Sequence, residues 1–220
     1  VANAIDVLTL NEAKQALRVN DSDTTNGALL TAAITGVSQA LDVVAGPIVT
    51  RTVTSERHDG GDWTIRLRHF PVYSVTSVTE YTGTSSATLT AETAGTTPAS
   101  GYLLEPYHGL SGLDLYGPTI TRRSGGWDYP FADGRQNVVV TYTAGRFTTN
   151  NSATNGGVTE QFKHAARITL ENWWQQFNQG IGSVGEFEVP VSSFPRFAVP
   201  NAARQALGLN ETHDDAVRLG

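Results

Sequence analysis

The sequence predicts an α+β fold: a small helical bundle of two N-terminal helices and a long C-terminal helix, a large β-rich insertion between them, and an extended C-terminal arm. Three observations predict it. Apolar residues recur every three or four positions in 9–46 and again in 158–178, the spacing that lines one face of a helix. Between these stretches the pattern becomes alternation, with β-branched residues in short runs punctuated by Gly and Pro. After Gln179 neither period persists. The implied organisation is 1–47 with 158–179 as the helical core, 48–147 as the β-rich region, 148–157 as a linker and 180–220 as the arm.

Thr9 stands three positions before Glu12, the capping-box spacing in which hydroxyl and carboxylate each serve the other's backbone amide. A short helix therefore runs through Ala13, Ala16 and Leu17. The NDSDTTNG segment after Val19 supplies turn residues and a new N-cap. Leu30, Ile34, Val37, Leu41 and Val44 then form the stripe of a longer helix, ended by Gly46 and Pro47.

From Ile48 the period is two. IVTRTVTSER reads as a strand, and Trp63, Ile65, Leu67 and His69 alternate with Thr64, Arg66 and Arg68 in a second one, one face apolar and the other charged. Gly60-Gly61, flanked by Asp59 and Asp62, reads as the hairpin turn joining them. VYSVTSVTEY (72–81) is another strand. Thr84 to Gly101 is a small-residue stretch, a strand pair with loose loops or an exposed excursion. Further short strands and irregular loops are expected from Tyr102 to Arg135, and 138–144 closes the β region. Residues 148–157 form a polar surface connector.

Val158, Phe162, Ala166, Leu170 or Thr169, Trp173 and Phe177 form the apolar face of the third helix. Adjacent helical residues point about 100° apart, so Trp173 and Trp174 cannot share the centre of that stripe. Trp174 belongs either to a wide stripe or to a subunit contact, where aromatic residues are favoured. In the arm, Phe187, Phe194 and Phe197 are separated by polar residues and prolines and cannot form a local core. Burying each against a partner is worth roughly 1.5–3 kcal/mol. The expected interface set is therefore Trp174, Phe187, Val189, Phe194, Arg196, Phe197 and Arg204, with the arginines facing carboxylates on the partner. A short helix from Asn201 to Leu207 also fits the arm.

Composition limits the chemistry. Cysteine is absent, so no disulfide, thiolate nucleophile or cysteine-bound zinc is available. The 15 basic and 21 acidic side chains leave a net charge of −6. By region, 1–47 carries two basic and five acidic residues, 48–146 eight and nine, and 147–220 five and seven. No basic patch of the kind that grips nucleic-acid phosphates stands out. VANAIDV lacks the basic and apolar regions of a secretion signal, and no stretch is expected to span a bilayer, which points to a soluble, unexported chain.

Gly180, Gly182 and Gly185 match G-x-G-x-x-G, but they follow a helix and enter a proline-rich arm, whereas a dinucleotide fingerprint needs a strand before and a helix after. No cofactor is expected. His58, Asp59 and Asp62 could ligate a cation, but the turn explains them without a metal. Asp128 and Asp133 lack the regular oxygen spacing of a calcium loop. No G-x-S-x-G elbow is present, so a non-enzymatic, structural role is expected.

Thr9-x-x-Glu12-Ala13-Lys14-x-x-Leu17-Arg18-Val19, followed by an acidic loop and a long helix, resembles the opening of the head-tail connector (adaptor) proteins of long-tailed bacteriophages. VVVTYTAGR (138–146) and the helix through LENWWQQF (170–177) resemble later segments of that family, in the same order. The resemblance implies a structural virion protein of the neck, assembled in the host cytoplasm as a ring of twelve copies beneath the portal protein. Such a ring extends the channel through which double-stranded DNA passes without sequence-specific binding, and offers a platform for a stopper or tail-terminator protein; no membrane is involved. The arm would dock on the portal or a neighbouring copy; the alternative is that it folds back over its own helices. Many family members are mainly helical, so the long β region departs from the pattern. The alternative is a β-rich carbohydrate-binding or adhesive virion module, with Trp63, Tyr73, Tyr81 and Trp127 stacking on sugars. A hydrolase is the third reading, for which no residue signature is present.

Overall fold

The computed structural model describes residues 3–107, 115–152, 156–182 and 199–208, the side chains of Tyr107 and of 178–182 excepted. The chain is α+β and divides into two units, one formed by 1–49 with 149–220 and the other by 50–148.

In the discontinuous unit, helix α1 spans Leu10–Ala16. Its capping box is complete: Glu12 N donates to Thr9 Oγ1 at 3.2 Å, and Thr9 N donates to Glu12 Oε2 at 2.8 Å. The other end closes with Arg18 N donating to Gln15 O and Val19 N donating to Lys14 O, a Schellman pattern that puts Arg18 at φ 55°. Lys14 Nζ donates to Asp21 O at 2.6 Å and ties down the following loop.

Helix α2, Gly27–Ala45, buries Leu30, Ala33, Ile34, Val37, Ser38 and Leu41, the expected stripe with two small residues added, except that Val44, in its last turn, is only half-buried. Gly46 takes φ 76° at its end. Contrary to the expectation from sequence, α2 is long and apolar enough to cross a membrane, with 19 residues at a mean hydropathy of 1.5. Its buried stripe packs on α1 and on helix α3, Glu160–Gly182, so the same letters serve as a core helix here. Helix α3 buries Phe162, Ala165, Ala166, Thr169 and Leu170.

Of the expected arm, residues 180–182 are not extended but continue α3. The short helix expected from Asn201 is formed as α4, Asn201–Ala206, and packs on α3 of its own chain. Ala203 and Leu207 are buried there, and Gln161 Nε2 donates to Ala206 O at 2.7 Å. One apolar residue per turn gave α4 something to bury close to home, which outweighed the proline-rich context.

The second unit contains strands β1 (Arg51–His58), β2 (Thr64–Arg66), β3 (Val72–Thr82), β4 (Ser85–Ala91), β5 (Gly101–Tyr107), β6 (Leu115–Ser124), β7 (Trp127–Asp128) and β8 (Val138–Ala144). They pair in the order β1-β8-β3-β4-β5-β6-β2, with β7 also on β6. Val72 of β3 also pairs with Tyr116 of β6, so the path returns on itself as a barrel. Strand β8 alternates strictly, burying Val138, Val140, Tyr142 and Ala144 in a core shared with Ile65, Leu67, Val78, Ile120 and Phe131. Inside it, Arg122 pairs with Glu80.

The Gly60-Gly61 hairpin is not formed. Strand β1 pairs with β8 and β2 with β6, so the two flanking strands are not partners. Instead Gly60 N donates to Gly134 O at 2.9 Å and Gly61 N to Phe131 O at 3.1 Å. A Cβ on Gly60 would stand 1.9 Å from Ala132 O. The glycines admit the 131–134 backbone. The Gly-Gly hairpin lies elsewhere: Gly125 and Gly126, at φ 55° and 87°, join β6 to β7, as a type I′ turn requires.

Candidate functional site

The residues expected to meet partners fall in two groups. Phe187, Val189, Phe194, Arg196 and Phe197 lie outside the described residues. Trp174 and Arg204 are described, on α3 and α4.

Along α3 burial fades toward the C-terminal end. Val158, Phe162 and Leu170 are buried, Trp173 and Trp174 are half-buried, and Phe177 is 36% exposed. The three rings form one cluster: Trp173 stacks on Phe177 with centroids 5.4 Å apart, and Trp174 lies 6.1 Å from Phe177 and 6.2 Å from Trp173. Trp174 thus sits at the margin of the apolar stripe, against its neighbours on the same helix. Beside it is an open groove of about 280 Å³ lined by Ala16, Leu17, Arg18, Glu171, Trp174 and Gln175. The groove combines an aromatic wall with an arginine and a glutamate.

Arg18 was not among the expected interface residues. Non-glycine residues take positive φ at a cost of about 1–2 kcal/mol, and this helix end would be satisfied by glycine. The signal was present in the sequence: α1 stops without a glycine after it. Arg204 is exposed on α4.

The strongest polar cluster is in the barrel unit. The bulge between Val53 and Glu56, with Ser55 at φ 54°, turns Glu56 inward. Its carboxylate accepts from Tyr142 OH at 2.7 Å and Arg68 N at 3.0 Å, and His58 Nε2 lies 2.8 Å away. Burial pushes the Glu56 carboxyl up, but these donors outweigh it and hold the group below its ordinary value. Burial, and next the hydrogen bond to Glu56, push the Tyr142 phenol far above its own. Saturated in this way, Glu56 acts as a cross-strand tie. Asp59 Oδ1 accepts from Gln136 N at 2.7 Å and pins that loop, and the Asp62 backbone carbonyl accepts from Phe131 N. Among the described residues no cluster of three or more His, Asp or Glu could hold a metal.

Comparison of the chain with protein-family models, with curated proteins and with solved structures finds no match in any of the three.

Proposed function

We propose that this protein is a structural virion component, a head-tail connector that forms a ring beneath the portal, extends the DNA channel and carries the stopper or tail-terminator protein. The observation that carries the reading is that two stretches bearing the family resemblance, the N-terminal helix pair and the helix through LENWWQQF, pack together in one unit. In that reading these helices are the bundle at the centre of the adaptor, and the barrel is its elaborated insertion.

The groove between Arg18 and Trp174 supplies one half of a head-to-tail contact, the type that closes into a ring when the rotation per subunit divides a full turn. The complementary half is the arm, through Phe187, Val189, Phe194, Arg196 and Phe197, with Arg204 of α4 at its base. The acidic balance suits a wall that DNA passes without adhering. A reconstruction of the virion neck tests the proposal. The expected result is a twelve-copy ring of this chain against the portal; a single copy, or density for the chain outside the neck, overturns it.

A further inference from the structure

After Val43 of α2, the most exposed large hydrophobic side chains among the described residues are Trp127 at 79%, Trp63 at 59% and Tyr129 at 52%. All three lie along one edge of β6. Arg122 N donates to Trp63 O at 2.8 Å, Tyr129 N donates to Arg122 O at 3.1 Å, and Trp127 is the register partner of Ser124. Trp127 and Tyr129 are two positions apart, so on an extended chain they share a face about 6.6 Å apart.

The edge is held stiffly. The Gly125-Gly126 turn sets the β6–β7 register, and Arg123 bridges Glu92, Asp128 and the Gly126 carbonyl. Arg122, anchored on Glu80, lies 5.5 Å from the centroid of the Tyr129 ring. Three aromatic side chains in water on a stiff backbone are a surface prepared for a ligand, because little ordering remains to be done on binding.

The surroundings identify the ligand's chemistry. The exposed large aliphatic residues of the described chain are Val43, on α2, and Leu103, on β5 at the opposite edge of β6. The aromatic edge itself is flanked by Asp62, Thr64, Ser124 and Asp128, groups that exchange hydrogen bonds with hydroxyls. Both arginines here are already paired with carboxylates, which leaves them committed rather than offered to an anionic ligand. Electron-rich ring faces attract the C–H-bearing faces of sugars. We propose that Trp63, Trp127 and Tyr129 form a stacking site for a neutral glycan of linked hexoses, a second activity independent of the connector reading.

The test is saturable binding by the full-length protein, read by tryptophan fluorescence and calorimetry with cellohexaose, maltohexaose and laminarihexaose, and on an array of neutral and acidic glycans. The expected result is saturable binding of a neutral hexose oligomer, weakened at least tenfold by Trp127→Ala and by Trp63→Ala but unchanged by Tyr73→Ala, with all variants melting like the parent. Silence across the array, binding confined to acidic glycans, or wild-type affinity in the Trp63→Ala/Trp127→Ala double variant overturns it. So does a change in sedimentation of the variants without glycan binding, which would make the edge a contact between copies.

Discussion

Glu12 and Lys163, 151 positions apart, form an ion pair in which the lysine side chain is 2% exposed. The same carboxylate accepts from the Thr9 amide and hydroxyl, at 2.8 and 2.9 Å, so one side chain caps α1 and fastens it to α3. Removing one partner of a buried pair leaves an uncompensated charge and costs about 3–5 kcal/mol. Glu12→Ala should lose stability in that range by urea denaturation. Glu12→Ala combined with Lys163→Leu should recover most of the loss, leaving about 1 kcal/mol for the missing cap.

Acid should weaken the fold through the same residue. Burial raises the Glu12 carboxyl's proton affinity, but the Lys163 ammonium and the Thr9 donors together lower it below the ordinary 4.5. Glu56 is depressed likewise. A depressed carboxylate contributes stability that is present above its unfolded value and lost as pH falls through the folded one. Urea midpoints should therefore hold from neutral pH down to about 5 and drop below about 4.5, and the drop should be shallower in Glu12→Gln.

Tyr142→Phe tests the tie between β8 and β1. It deletes a hydrogen bond to a buried carboxylate, worth about 1.5–3 kcal/mol, and should destabilise by that amount in thermal or urea melts. The phenol's raised proton affinity means that its contribution is intact below the unfolded value near 10 and erodes above it. Burial raises the Tyr102 phenol as well, so ultraviolet titration of the folded protein should show two tyrosines fewer ionising near pH 10 than denatured protein shows, and one of the two should be absent from Tyr142→Phe.

Gly60→Ala should destabilise by about 1–3 kcal/mol, because the new methyl must displace the Ala132 carbonyl. Gly95→Ala, where nothing lies within 4 Å, is the matched control and should be near neutral. Equal melting of the two variants would contradict the close approach of the 131–134 backbone.

At the groove, stability and assembly should move in opposite directions. Arg18→Gly relieves a positive φ and should stabilise the isolated protein by about 1 kcal/mol. Under the connector proposal it should also reduce the joining of tails to portal-bearing heads, as should Trp174→Ala. Full joining by both variants would remove the groove from the assembly contact.

Local signals were legible where a few adjacent letters decide the outcome. Thr9 and Glu12 announced their capping box, and strand β8 its alternation. The stripe of α2 was read correctly from Leu30 to Leu41, though Val44 is only half-buried. Partners distant in sequence were not legible. Gly60-Gly61 carries the letters of a hairpin, but β1 and β2 are captured by β8 and β6, and tertiary pairing overrode the turn propensity. Lys163 reads as a solvated helix residue until Glu12 is placed opposite it. The place of Trp174 beside the centre of the α3 stripe was readable because two adjacent tryptophans cannot share that centre. Arg18 was marked only indirectly, by the missing glycine after α1, because what distinguishes it is a backbone angle rather than a residue type.

The split of the helical unit into 1–49 and 149–220 has a consequence during synthesis. Residues 50–148 are continuous, so the barrel can close as soon as β8 leaves the ribosome. Helix α2 must wait for α3, more than a hundred codons later, with its apolar stripe still without that partner. The interval exposes a nascent-chain segment that holdase chaperones favour, and a pause in translation after β8 would lengthen it.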